Sequence, residues 1–258
     1  MQERGPGRSY RPYRPRVSLA RALSKLGYGS RTQAREWIGK GRVRVNGLAE
    51  TDGARKVDPA KDRIEAEGHV VPAKEKVYLA LNKPRGLVTT ACDEKGRATV
   101  YECLGKEDLP WLAPVGRLDK ASEGLLLFTN DTRWAAHIMD PQTRLDKTYH
   151  VQIGGLAAAE CLKKMTEGVL TEEGVFLQAK RVLVLRQGER NCWLEIVLDE
   201  GRNRHIRRLL AALGMEVLRL VRVAIGPLSL GNLPRGKYRR LSGVEISSLE
   251  RAGGKSKD

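Results

Sequence analysis

Gly116-Arg117-Leu118-Asp119-Lys120-Ala121-Ser122-Glu123-Gly124 runs straight into Leu125-Leu126-Leu127-Phe128-Thr129-Asn130-Asp131. A polar, charged turn empties into a short apolar run that ends in capping and turn residues. The run is too short to span a membrane and predicts a strand buried on both faces. Asp119 stands at the lip of that strand, two residues after Arg117. Two readings of Asp119 are open on these residues alone: a nucleophile or acid at the mouth of a buried strand, or an aspartate in a surface turn capping a backbone amide.

Composition narrows the choice. The chain has 258 residues, enough for two domains, and carries 47 Lys and Arg against 31 Asp and Glu, a formal +16. Such an excess points to a polyanionic partner, because each phosphate neutralised releases counterions. A membrane surface is disfavoured, since there is no long apolar segment and no dominant basic amphipathic helix. The first residues hold no apolar h-region, so no secretion is expected from them. The four cysteines are scattered without a Cys-x-x-Cys pair, which predicts reduced, structural thiols and a cytoplasmic setting. The histidines show no zinc spacing, and neither a phosphate-binding Gly-x-x-x-x-Gly-Lys-Ser/Thr loop nor a Gly-x-Gly-x-x-Gly turn occurs.

Outward from the centre, residues 1–16 hold five arginines among prolines and read as a disordered basic arm, for RNA contact or for solubility. Residues 17–67 form a unit with clear local signals. Leu19, Ala22, Leu23 and Leu26 recur at helical spacing after Ser18, and Gly27 stops them. Ser30 and Gln33 make a capping-box pattern before Ala34, Trp37 and Ile38. Val43 and Val45 alternate with Arg42 and Arg44, and Asn46-Gly47 is a hairpin turn. Residues 1–67 contain 16 basic and 8 acidic side chains, a net of +8, so half the excess charge sits in about a quarter of the chain. A solvated basic face is one reading of Arg21, Lys25, Arg31, Arg35, Lys40, Arg42 and Arg44; an RNA-binding face is the other.

Residues 68–76 read as a linker. Val77, Leu79 and Leu81 alternate as a strand that ends at Asn82-Lys83-Pro84, and Leu87 to Thr90 continue the sheet. Residues 91–114 read as irregular. Asn130 or Asp131 caps a helix holding Trp134, Ala135, Ile138 and Met139, in which His137 is structural. Lys147 to Ile153 alternates, placing Tyr149, Val151 and Ile153 on one face; a tyrosine there reads first as core with its hydroxyl at the rim. A helix over 157–166, strands over 175–186 and 191–199, a helix opening near Arg202, a strand over 217–223 and a basic loop over 231–240 follow, and 251–258 is a polar tail. Arg207 falls beside the apolar stripe of its helix, where an arginine needs a carboxylate or phosphate partner. One apolar face per strand and irregular alternation predict an α+β domain over 77–250 with a mainly antiparallel mixed sheet flanked by helices.

The pattern Gly-x-x-Ser-Arg-x-x-Ala over Gly27 to Ala34, with Gly-Arg-Val-x-Val-Asn-Gly over Gly41 to Gly47, resembles an S4 RNA-binding domain. Beyond it, Leu81-Asn82-Lys83-Pro84-x-Gly86, Gly116-Arg117-Leu118-Asp119 with Ser122-Glu123-Gly124-Leu125-Leu126, Lys147-Thr148-Tyr149 and Glu200-Gly201-Arg202-Asn203-Arg204-x-Ile206-Arg207 together resemble bacterial ribosomal RNA pseudouridine synthases of the RsuA family. Ser122 stands where threonine is usual and His205 where glutamine is usual; the first substitution keeps a hydroxyl. The resemblance implies that Asp119 is the nucleophile, that Tyr149 stacks on the uracil and helps remove its C5 proton, and that Arg207 pairs with Asp119. It implies that Arg117 helps hold the target nucleotide out of the stack, and that Lys147, Arg202 and Arg204, with Arg21, Lys25, Arg31, Arg35, Arg42 and Arg44 of the S4 domain, contact RNA.

Exchanging an N-glycosidic for a C-glycosidic bond is an isomerisation, so the resemblance implies no cofactor and no metal. It does require a carboxylate near the sugar and extrusion of the base from the stack. The expected partner is structured ribosomal RNA in large-subunit assembly intermediates, met by a monomer; the loop from Gly231 to Arg239 favours the large subunit over the small. Two rival readings are a noncatalytic RNA-binding assembly factor and a glycoside hydrolase using Asp119 and Glu123. The second leaves the charge unexplained and lacks an aromatic sugar cleft, aromatics being 5% of residues.

Overall fold

The structure is a computed structural model that describes residues 16–59, 61–71, 75–105 and 109–252. The basic arm up to Pro15 and the tail from residue 253 lie outside the described residues. The chain divides into two compact units, 1–74 and 75–258.

In the first unit, β1 (Val17–Ser18) leads into α1 (Leu19–Lys25) and α2 (Arg31–Gly39), followed by β2 (Val43–Val45), β3 (Leu48–Glu50), β4 (Lys56–Val57), β5 (Ile64–Ala66) and β6 (His69–Val70). The predicted capping box is made in full: Gln33 N donates to Ser30 Oγ at 3.1 Å, and Ser30 N donates to Gln33 Oε1 at 2.9 Å. That fixes the start of α2 and turns Ala34 and Ile38 into a core shared with Leu19, Leu23, Val43 and Val45. The helices so placed leave Arg21, Arg31, Arg35, Arg42 and Arg44 exposed and Lys25 half-buried.

The stretch read as a linker begins later than the sequence suggests. His69–Val70 pairs with β5, and Val71 is buried in the core of this unit. The cause is the Glu67-Gly68 pair, which takes positive φ at both residues (52° and 82°), the same hairpin geometry as Asn46-Gly47. Asn-Gly advertises that turn in a sequence; Glu-Gly does not.

The second unit holds β7 (Tyr78–Lys83), β8 (Ala113–Val115), β9 (Glu123–Thr129), α3 (Thr132–Met139), β10 (Lys147–Gly154), α4 (Ala159–Glu167), β11 (Val169–Leu170), β12 (Phe176–Leu177), β13 (Arg181–Gln187), β14 (Asn191–Leu198), α5 (His205–Ala211), β15 (Val217–Ile225), β16 (Leu228–Ser229), β17 (Tyr238–Arg240) and α6 (Gly243–Ala252). Its nine-stranded sheet runs β13-β14-β10-β15-β9-β7-β17, with β16 on β15 and β8 on β9. Every pairing in it is antiparallel except β15 with β9. All seven residues of β9 are buried, as the apolar run predicts. Leu125 and Leu127 face the cluster under α3 and α6, whereas Leu126 and Phe128 face the cluster with Leu79, Leu81 and Leu112. Asp131 caps α3, accepting from Arg133 N and Trp134 N.

Three further expectations shift. Leu87 to Thr90 adds no strand, only a single bridge between Val88 and Thr99, because Thr89 instead bonds the turn before β9. The irregular 91–114 stretch contains a 3-10 turn at Val100–Leu104 and the edge strand β8. The basic loop over 231–240 ends as β17, pairing with β7.

Candidate active site

Residues 118–122 form the turn before β9, and every one of their backbone carbonyls accepts a hydrogen bond. Thr89 Oγ1 donates to Leu118 O at 2.7 Å, Ser122 N to Asp119 O at 2.9 Å, Gly86 N to Lys120 O at 2.8 Å, Arg207 Nη2 to Ala121 O at 3.1 Å and Lys83 Nζ to Ser122 O at 2.8 Å. The backbone is thereby fixed without help from the Asp119 carboxylate, which makes no hydrogen bond to any described residue and lines a cavity of about 620 Å³. A capping aspartate would be bonded to an amide; this one is presented.

Lys83, quoted in the motif Leu81 to Gly86 but given no role on sequence, is fully buried at the end of β7. Its ammonium donates to Pro84 O (3.0 Å), Asp119 O (3.2 Å) and Ser122 O. Burial pushes its pKa down to about 8, against the pull of Cys103, Glu123 and Asp119 in the other direction. As pH rises through 8 the ammonium loses its charge and one of its three donors, which weakens its hold on the turn. The unfolded chain keeps that proton up to the ordinary value of 10.5, so between the two values the unfolded state binds more protons and this group's contribution to stability rises with pH. The expected signature is a reaction rate that falls above pH 8 without a matching fall in melting temperature. A rate that stays flat from pH 7 to 9 removes Lys83 from the control of the turn.

The cavity gathers residues that lie far apart in the chain. Asp119 and Arg117 come from the turn, Lys147 and Tyr149 from β10, Arg202 and Arg204 from the loop before α5, Arg207 from α5, and Arg222 from β15. The ring of Tyr149 packs at the junction of two hydrophobic clusters, touching both. Arg117 and Arg204 are exposed and make no ion pair among the described residues. Arg202 is engaged within the protein, its Nε on Glu200 and its Nη1 on Phe176 O, each at 2.8 Å.

The predicted Arg207–Asp119 pair takes a different form. No hydrogen bond joins them; the Arg207 guanidinium donates to Ala121 O and, at 3.5 Å, to Val217 O. Burial pushes the Arg207 pKa down, the Arg204 charge adds to this, and Asp119 opposes it, so the carboxylate acts as a charge neighbour. The reason lies in the helix start: α5 opens at His205, three residues after Arg202, behind Arg204 in left-handed conformation (φ 49°). His205 is buried with Nδ1 3.5 Å from Glu200 Oε1, and burial, against the pull of Glu200, lowers its pKa.

Glu123, the second carboxylate of the hydrolase reading, is not available as an acid. Arg219 donates to its two oxygens at 2.9 and 3.0 Å, and Arg235 Nη2 lies 3.0 Å from Oε2 as well. Burial raises its pKa, but Arg219 and Arg235 outweigh that and leave the carboxyl below its ordinary value. A glycosidase acid needs the opposite shift.

Residues 77–212 match the family described as RNA pseudouridylate synthase, and residues 17–64 match the S4 domain. The chain is 38% identical over 240 residues to a protein of Aquifex aeolicus named "Uncharacterized RNA pseudouridine synthase", covering 92% of this chain and 95% of that one. It is 37% identical over 233 residues to "Ribosomal large subunit pseudouridine synthase B" of Bacillus subtilis, covering 90% and 94%. A solved structure described as "Crystal structure of pseudouridylate synthase" superposes with a TM-score of 0.62 at 28% identity, over 90% of this chain and 99% of that one. The chain belongs to the RNA pseudouridylate synthase family. It is an isomerase acting on RNA, with an S4 domain ahead of the catalytic domain. Among the described residues no helix is long and apolar enough to cross a membrane.

Proposed function

We propose that this protein converts one uridine of ribosomal RNA to pseudouridine, with a target in the large subunit and Asp119 as the nucleophile. The observation that carries the reading is the unbonded Asp119 carboxylate, presented from a backbone-locked turn into a cavity that also holds Tyr149 and Arg207. Tyr149 stacks on the extruded uracil and assists loss of the C5 proton. Arg207 holds the turn through Ala121 and places a positive charge beside Asp119. Arg117, Lys147, Arg202 and Arg204 meet the nucleotide and its phosphates, and the S4 face positions the RNA. The chain acts as a monomer in the cytoplasm. The large-subunit names of two relatives, from Bacillus subtilis and Pseudomonas aeruginosa, support the choice of subunit.

The test uses large- and small-subunit ribosomal RNA transcribed with uridine tritiated at C5. Tritium is expected to leave the large-subunit RNA, and pseudouridine mapping in a deletion strain is expected to show a single lost position. Release from small-subunit RNA alone overturns the subunit. Binding without release from either RNA favours the assembly-factor reading. Within the S4 unit, Arg42 pairs with Glu67 at 3.1 Å, whereas Arg21, Arg31, Arg35 and Arg44 make no ion pair among the described residues. Changing these four to glutamine is expected to flatten the log K against log salt slope by about 3. An unchanged slope removes this face from RNA binding.

A further inference from the structure

Arg222 stands on β15 opposite Tyr149 of β10, lines the cavity and is only 6% exposed. Its Nε donates to Leu125 O at 2.7 Å. β15 and β9 pair only at Val221 with Glu123 and Arg222 with Gly124, and the side chain reaches the first carbonyl past that short contact. Its Nη2 is shielded from solvent and finds no acceptor among the described residues, and no carboxylate there forms an ion pair with it. A neighbouring charge is another cation: burial, and then Arg222, push the Lys147 ammonium down, with Asp146 and Asp199 opposing. A buried guanidinium with an orphan N–H is costly unless something pairs with it. The cavity that Arg222 lines is where a ligand can supply the acceptor.

Depth sorts the candidate ligands. Arg117, Arg202 and Arg204 are exposed, and there the phosphates of an RNA strand remain. Arg222 is buried with Leu220 and Ile225, where an extruded base ends. We infer that Arg222 donates a charged hydrogen bond from Nη2 to a carbonyl oxygen of the target uracil and holds the negative charge that the base acquires when its bond to ribose breaks. The inference rests on the functional reading of this cavity given above. In the step, C1′–N1 breaks with its electron pair leaving on the base and spreading to O2 and O4, while C1′ is taken by the Asp119 carboxylate. C5–C1′ then forms from the electrons of the base, C1′ leaves the carboxylate, the C5 proton is lost and N1 gains one. Nothing is oxidised and no co-reactant is consumed.

Full-length wild type, Arg222→Met and Arg222→Lys are compared in single turnover on RNA with the mapped target uridine and on the same RNA with 5-fluorouridine there. The rearranged nucleoside is read by mass spectrometry after digestion. Fluorine at C5 makes the base a better leaving group that needs the donor less. Arg222→Met is expected to slow the uridine reaction about 100-fold, with RNA Kd unchanged within about threefold and the 5-fluorouridine reaction slowed by only about tenfold. Arg222→Lys recovers part of the rate. A purely structural role slows both substrates equally. Equal slowing, a folded Arg222→Met at full rate, or a loss confined to Kd overturns the inference. Should Arg222→Met fail to fold, Arg222→Lys carries the same two-substrate comparison. Wild-type protein that converts neither substrate overturns the functional reading, and this inference with it.

Discussion

Asp119→Asn is expected to reduce pseudouridine formation by on the order of 10⁴-fold or more, with RNA affinity unchanged within about twofold. The carboxamide has the size of the carboxylate but cannot accept C1′ of the ribose. The substitution is clean because the turn is held by carbonyls 118–122 and not by the Asp119 side chain. On the proposed reading RNA binding draws on the S4 face, so Kd is a separate readout. Single-turnover rates together with filter-binding affinities make the measurement. Activity within 100-fold of wild type would remove the nucleophile from this position.

Gly124→Ala is expected to be nearly as damaging, through the fold. Gly124 sits at φ +100°, outside the range an L side chain adopts readily, and a Cβ there would lie 2.2 Å from the Arg222 carbonyl oxygen and 2.8 Å from its nitrogen. Both obstacles are backbone, so no rotamer change relieves them. Left-handed strain and the clash together are worth about 4 kcal/mol, or roughly 8–16 °C in melting temperature for a domain of this size. Calorimetry of the full chain measures it, the transition of the catalytic unit moving while that of the S4 unit stays. A shift below about 2 °C would mean that β9 and β15 separate at little cost.

Much of this was legible in the sequence because it depends on neighbours in the chain. The Ser30–Gln33 cap, the Asn46-Gly47 turn, the Asp131 cap and the apolar run of β9 are all local patterns, and each formed where the spacing placed it. What was not legible depends on long-range pairing. The guanidinium of Arg207 was matched to Asp119, yet it bonds a carbonyl two residues away, because the helix carrying it starts late. Lys83 sits at the end of an apolar strand, a place where a lysine is unusual, but only the tertiary structure shows its ammonium under the turn. Arg222 left a faint signal, since it falls on the alternation of Leu218 and Leu220 where another apolar residue belongs. Neither its orphan nitrogen nor its cavity could be read from that register.

β15 is the strand that joins β10 to β9, and it is among the last elements of the chain. Until it leaves the ribosome, the sheet exists as two separate pieces, with Tyr149 on one and the Asp119 turn on the other. The S4 core closes by residue 71. At about 5–20 residues per second the interval between these events is on the order of 10 to 30 s. During synthesis, then, a basic module able to hold RNA is complete well before the catalyst behind it can exist, so a nascent or truncated chain can occupy RNA without altering a base.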